Sequence, residues 1–388
     1  METVYQLVTK WFANKPAWMP LAIAIAVPIL FVIAVFPLIF AYTTLVERKT
    51  LGRIQNRYGP NRVGRWGILQ PIADGVKVLL KEDIVPRRAD KFVHFLAPVI
   101  AVIPSLLLFS VVPVASGFVP VNLNIGILFA FAVSTASVLA LFMGGWASHN
   151  KFSLLGAMRA VAQVVSYEVP MVLAAVAVVM AVGSLSTVAI VEAQGGGFLN
   201  VSGWFVFRPW GFVGFVLFAI GAMAESGRTP FDIPEGESEI VAGYHTEYSG
   251  FKFALFQMGE YLATIAMAGI TVSMFLGGYY GPGTVPGFLG GLISAFWFFI
   301  KLGAMITLNI WIRGTWPRVR VDQLMGFAWK ILLPMSLINI VAVGIWHYTA
   351  SKALAWIVTA IILTVSYILL AKLNATETIE KRTYRYVS

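Results

Sequence analysis

Long uninterrupted apolar runs, separated by short polar stretches, dominate this chain. A hydrocarbon core about 30 Å thick is crossed by roughly 20 apolar residues in helical form. Nine such runs are predicted as spans, at 20–45, 92–113, 125–147, 161–186, 209–224, 253–277, 289–312, 331–349 and 353–371. They are continuously apolar, whereas barrel strands alternate lipid-facing and lumen-facing residues, so the spans are read as helices. The first run is too long for a signal peptide, begins near Pro20 and lacks a small-residue cleavage site, which predicts that it stays as a span. One segment follows a different pattern. From Trp66 to Lys81, Leu69, Ile72, Val76 and Leu79 share one helical face, and Gln70, Asp74, Lys77 and Lys81 share another. That amphipathic helix is predicted to lie along the membrane interface.

The pattern predicts an all-α fold: a polytopic transmembrane helix bundle of about nine spans forming a single integral membrane domain over 1–388. Two long loops, a basic one at 46–91 and an acidic one at 225–252, interrupt it, and 353–371 adds a C-terminal span. Composition supports the class, because 59% hydrophobic and 12% charged residues cannot hydrate a soluble surface. Charge then supplies an orientation. Of the 28 Lys and Arg, 23 fall on one side of the predicted spans, four (Lys10, Lys15, Arg208, Lys352) on the other, and Lys301 lies inside a span. The positive-inside rule places the N-terminus outside and the C-terminus in the cytoplasm. The net charge of +10 follows from loops that meet anionic head groups, so no nucleic-acid partner is expected.

The chain has no cysteine, which excludes cysteine-ligated iron–sulfur clusters and thiolate zinc sites. His94, His149, His245 and His347 lack the spacing of a metal helix or haem bundle, so no metal is expected. No GxxxxGK[ST] or GxGxxG loop is present, and the chain is expected to hold no nucleotide.

The basic loop opens with Glu47-Arg48 at the membrane edge, and Gly59-Pro60-Asn61 and Gly64 fix turns in it, as in a structured polar site. A purely lipid-anchoring basic loop is the plainer alternative. From Glu225 to Glu247 of the acidic loop, Glu225, Asp232, Glu235, Glu237, Glu239 and Glu247 stand against a single Arg228. Carboxylates this close are expected to raise one another's pKa and to exchange protons near neutral pH. Within the spans, Glu168, Glu260 and Lys301 are costly enough to imply function. Gln257, Glu260, Thr264, Met267 and Thr271 form one polar stripe. A Glu260–Lys301 ion pair that only fixes helix packing is the structural alternative; a proton path is favoured because one lysine cannot neutralise so many carboxylates.

At these residues the sequence resembles the H-subunit family of proton-translocating NADH:quinone oxidoreductases, respiratory complex I, the counterpart of mitochondrial membrane subunit 1. The motifs are Glu47 to Gly64, Leu69-Gln70-Pro71-Ile72-Ala73-Asp74-Gly75-Val76-Lys77, Arg159 to Gln163 with Ser166-Tyr167-Glu168, and Ala224-Glu225 through Tyr248. The resemblance implies a translocase subunit without redox centres, joining the membrane arm to the peripheral arm. Glu47, Arg48 and Asp74 would belong to the quinone cavity and its entrance. Glu168, Glu225, Glu235 and Glu260, with Lys301, would form the proton path toward antiporter-like subunits. Arg228, Asp232, Glu237, Glu239 and Glu247 would lie in the coupling loop between them. Quinone would be the substrate, with NADH and the iron–sulfur clusters held by partner subunits, one of which carries the terminal cluster. Small membrane subunits and lipids would be the other partners, and a bacterial inner membrane the location. Many members resemble an eight-span protein, so the ninth span and basic tail depart from the pattern. A membrane-bound hydrogenase-type complex and a stand-alone ion transporter are the alternatives; no pair of interrupted spans recurs in the two halves to support the latter.

Overall fold

A computed structural model of the protein describes residues 18–196, 201–234, 236–283 and 288–375. Its helices are α1 (Trp18–Ile54), α2 (Gln70–Leu80), α3 (Lys91–Leu108), α4 (Gly126–Ala147), α5 (Lys151–Val182), α6 (Thr187–Ala193) and α7 (Pro209–Glu225). They continue as α8 (Glu237–Ile240), α9 (Gly250–Phe275), α10 (Phe288–Thr315), α11 (Val321–Phe327), α12 (Leu333–Tyr348) and α13 (Lys352–Ala375). A π-turn at Ala328–Leu332 fuses α11 to α12, so Val321–Tyr348 runs as one rod. Among the described residues the β-structure is a single isolated bridge between Ala115 and Phe118.

Each of the nine predicted runs coincides with a helix. Eight are long and apolar enough to cross a membrane, and α7, Pro209–Glu225, is a shorter apolar helix. The predicted ends need correction. α1 runs to Ile54, so Glu47 and Arg48 are helical and not the start of a loop. α5 starts at Lys151 instead of 161, because the Asn150 side chain accepts the Phe152 amide and caps it there. Both helices exceed the length that a bilayer core requires, and their extra turns carry the polar residues that hydropathy reads as loop. The amphipathic helix is shorter than expected, at Gln70–Leu80, and follows a 3₁₀ turn at Arg65–Gly67. Its apolar face is bare, with Ile72 61% and Leu79 64% exposed, as an interfacial helix requires.

The centre of the bundle is α5, packed against α4, α7 and α12, while α3 lies between α4 and α9. In lipid there is no hydrophobic gain in bringing helices together, so association rests on close approach and on polar links between helices. Gly259 of α9 meets α3 so closely that a Cβ there would fall 2.9 Å from the Ala101 carbonyl oxygen. Next to it the Ser105 hydroxyl donates to the Gly259 carbonyl at 2.9 Å. Tyr167, Trp210, Phe218, Phe275 and Phe298 are fully enclosed, whereas Leu30, Leu139, Phe296 and Ile361 project outward as a bilayer or an apolar partner requires. The close α3–α9 packing and the buried α5 fix one end of the bundle, where the polar groups converge.

Candidate functional site

A carboxylate inside a helix bundle costs several kcal/mol unless charges and donors surround it. Glu47 of α1 is 1% exposed and is surrounded in that way. Arg228 reaches its Oε2 at 3.1 Å, the Tyr261 hydroxyl donates to the same oxygen at 2.8 Å, and Arg313 pairs with Oε1. Arg228 also lies over the Tyr261 ring, 3.5 Å from its centroid. Two guanidiniums against one carboxylate leave a surplus of positive charge. The sequence places these partners in four segments: α1, the loop after α7, α9 and the last turn of α10.

Arg48, one residue on, faces the other way. Its guanidinium bonds Asp74 of α2 at 2.6 Å, and Gln70 and Lys77 flank the same carboxylate. Burial works to raise the Asp74 carboxyl, but the Gln70 and Arg48 hydrogen bonds and the Arg48 and Lys77 charges together hold it below its ordinary value. Glu47, Arg48 and Asp74 are therefore two separate clusters back to back. The first is sealed in the bundle and the second sits at the foot of the interfacial helix.

Glu260 lies between two cavities. The first is lined by Gln163, Glu225, Tyr244 and Glu260 and has a volume of about 40 Å³, enough for a short file of waters. The second has about 30 Å³ and is lined by Arg228, Asp232, Gln257, Glu260 and Arg313, which brings it against the Glu47 cluster. Glu260 accepts from the Tyr244 hydroxyl, and His245 Nε2 lies 3.6 Å away. At the far side of the first cavity, Glu225 is bonded by Ser134 and feels the charge of Glu168, while its Oε2 is shut from solvent without a hydrogen-bond partner. Glu168 accepts from Thr135. Glu47, Glu260 and Glu225 are thus linked through Arg228, Arg313 and the two cavities, and Glu168 acts on Glu225 through its charge.

Among the described residues, Asp232, Glu239 and Glu247 of the acidic loop do not form one cluster of mutually repelling carboxylates. Asp232 faces the second cavity, Glu239 pairs with Arg159 at 2.6 Å, and Glu247 accepts from Asn150 at 2.6 Å. Glu235 and the Glu237 side chain lie outside the described residues. The loop is held by Gln163, whose amide donates to the Ala224 and Phe231 carbonyls, each at 2.7 Å. Lys301 decides against the ion pair weighed as the structural alternative. It does not pair with Glu260; its ammonium donates to the backbone carbonyls of Leu276 at 2.7 Å and Gly278 at 2.9 Å, and to that of Tyr280. These lie beyond the C-terminus of α9, whereas Glu260 sits in its first half.

Arg313 and Tyr261 are members of the site that the sequence does not single out, and Gln163 enters there only as the end of the Arg159–Gln163 motif, without a role. Weak signals exist: Arg313 ends a span, Tyr261 adjoins Glu260, and Gln163 lies five residues before Glu168. No group of three or more metal-ligating side chains is found among the described residues.

Among known proteins, a family described as NADH dehydrogenase matches residues 27–344, which covers every residue of the clusters above and stops short of α13. A protein of Dehalococcoides mccartyi, named as the H subunit of NADH-quinone oxidoreductase, is 49% identical over 84% of this chain and 86% of its own length. Proteins of the same name from Geobacillus kaustophilus (44%, over 87% of this chain and 98% of its own) and Syntrophotalea carbinolica (49%, over 79% and 91%) are similarly alike.

Proposed function

Because the chain belongs to the H-subunit family of NADH-quinone oxidoreductases, we propose that it lines the quinone chamber of such a complex and couples quinone reduction to proton movement. As a multi-pass membrane subunit with no cysteine of its own, it leaves electron delivery to iron–sulfur clusters in partner subunits. The two cavities admit waters but not a quinone ring. The chamber is therefore completed by peripheral-arm subunits over the Arg48–Asp74 face, and the bare apolar face of α2 flanks the lipid entrance.

Reducing a quinone to a quinol takes two electrons and two protons. Negative charge develops on the ring at the Arg48–Asp74 face before the protons arrive, and the surplus positive charge of Arg228 and Arg313, on the other side of α1, responds to it through space. Those guanidiniums then hold Glu47 and its neighbours less tightly, and the change passes across the second cavity to Glu260. Glu260 and Glu225, joined by the water-sized first cavity, take up and release the proton, and Glu168 hands it on toward antiporter-like partners. Asp232 sits where the loop meets this route. Glu239 and Glu247 anchor the loop through Arg159 and Asn150.

The observation that carries this proposal is the position of Glu260, which lines both cavities and so links the Glu47 cluster to Glu225. The three relatives are named for NADH and quinone, which favours this complex over a hydrogenase-type one. Glu260→Gln keeps the shape and loses the titrating proton. The assembled complex carrying it should reduce quinone while its proton-to-electron ratio falls at least several-fold; an unchanged ratio sinks the proposal.

A further inference from the structure

A lysine in the middle of a span is expected to meet a carboxylate or to reach the membrane surface. Lys301 does neither, although it is 7% exposed and stands 13 residues into α10. Helical side chains lean toward the N-terminus of their helix, which directs Lys301 away from Arg313 and Glu47 and toward the chain leaving α9. There the backbone comes to the lysine. Gly277 and Gly278 take left-handed φ values of 72° and 51°, and the turn brings the Leu276, Gly278 and Tyr280 carbonyls onto a single point. The ammonium has three protons and meets three carbonyls. The ring of Trp204 covers it at 3.9 Å, and the negative end of the α9 dipole lies alongside.

The cage is built independently of Lys301. Gln194 accepts from the Gly277 amide at 2.9 Å and donates to the Ser273 carbonyl at 2.9 Å, and the Gly278 amide donates to the Val272 carbonyl at 2.9 Å. A Cβ on Gly277 would fall 2.3 Å from the Trp204 ring nitrogen, and one on Gly278 would fall 2.6 Å from Val191. Glycine is thus required at both positions by conformation and by space. We propose that the turn at 276–280 and Trp204 form a site for a primary ammonium ion, occupied in this chain by the Lys301 side chain as a tethered cation. In this role Lys301 joins α10 to the C-terminal end of α9 and closes that end of the bundle, and it does not carry a proton in turnover. A neutral amine has only two protons for the three carbonyls and leaves one of them unsatisfied in an apolar setting.

The test uses the intact membrane complex carrying Lys301→Ala, whose missing atoms correspond to propylammonium. Thermal unfolding of the complex is followed with added propylammonium, tetramethylammonium or sodium chloride at equal ionic strength. The Ala variant is expected to melt several degrees below the parent, and propylammonium alone should restore most of the loss. With propylammonium bound, the proton-to-electron ratio should equal that of the parent. Equal effects of all three salts, or none, overturn the proposal. So does a K301A complex of parental stability that has lost pumping, since Lys301 would then be a proton carrier. Lys301→Met fills the space of the stem without charge and serves if the Ala variant does not assemble; a Met variant melting with the parent also contradicts the proposal.

Discussion

Two carboxylates at the same end of the bundle are held in opposite ways. Glu47 has a guanidinium or phenol on each oxygen, from Arg228, Tyr261 and Arg313. Glu225 has one hydroxyl donor, a second oxygen with no partner, the nearby charge of Glu168 and a water-sized cavity in front of it. A buried acid with its charge compensated keeps that charge and organises what surrounds it. A buried acid left with a cavity and a like charge gains by changing protonation. Glu260 stands between the two, held by Tyr244 and His245 on one side and open to both cavities. The contrast separates fixed electrostatics from movable protons along one route.

The contrast can be broken most severely at its fixed end. Glu47→Ala leaves Arg228 and Arg313 facing each other in the bundle. Breaking a buried pair costs about 3–5 kcal/mol, so the complex is expected to assemble poorly; normal yield and melting would show that Glu47 is not the organising charge. Next is Gln163→Leu, of similar size, which strips donors from the Ala224 and Phe231 carbonyls. Each carbonyl keeps one backbone amide donor, so the cost is that of two lost hydrogen bonds at about 0.5–1.5 kcal/mol each, and proteolysis within 225–234 should quicken in the variant before global unfolding changes.

At the movable end, Glu225→Gln should leave assembly near the parent level, because the amide supplies a donor to the empty side, while proton pumping falls at least several-fold. A variant that pumps normally would remove Glu225 from the route. The smallest effect is expected at Asp74. Its folded pKa lies below the ordinary 3.8, so its contribution is fully present above that value and is lost as pH falls through the lower folded one. The protection of the α2 amides against hydrogen exchange, taken relative to the intrinsic rate at each pH, should therefore be steady from neutral pH to about 4 and weaken below it, in a manner that Asp74→Asn removes.

Much of this is legible in sequence, and the failures have physical causes. The spans are visible because lipid forces each to satisfy its backbone internally over a length set by the bilayer. Their ends are less visible, since α1 and α5 continue as helix past the apolar core, and residues such as Arg48 and Arg159 are compatible with helix and loop alike. Glu168, Glu225 and Glu260 stand out as acids against apolar sequence. Their partners do not, because Arg228 and Arg313 lie 181 and 266 residues from Glu47 and only the packing of α1, α9 and α10 brings them together. Lys301 is the converse case. The Glu260–Lys301 pair weighed as the alternative to a proton path is not formed, because a turn of backbone carbonyls satisfies the ammonium.

The central claim is that Glu225 and Glu260 change protonation when quinone is reduced and Glu47 does not. Infrared difference spectroscopy of the assembled complex, recorded between oxidised and reduced quinone, reads the carboxyl C=O band directly. The account predicts a protonation signal that is lost in part in Glu225→Gln and in part in Glu260→Gln. A signal that survives both substitutions unchanged, and so arises from other carboxyls, would contradict it.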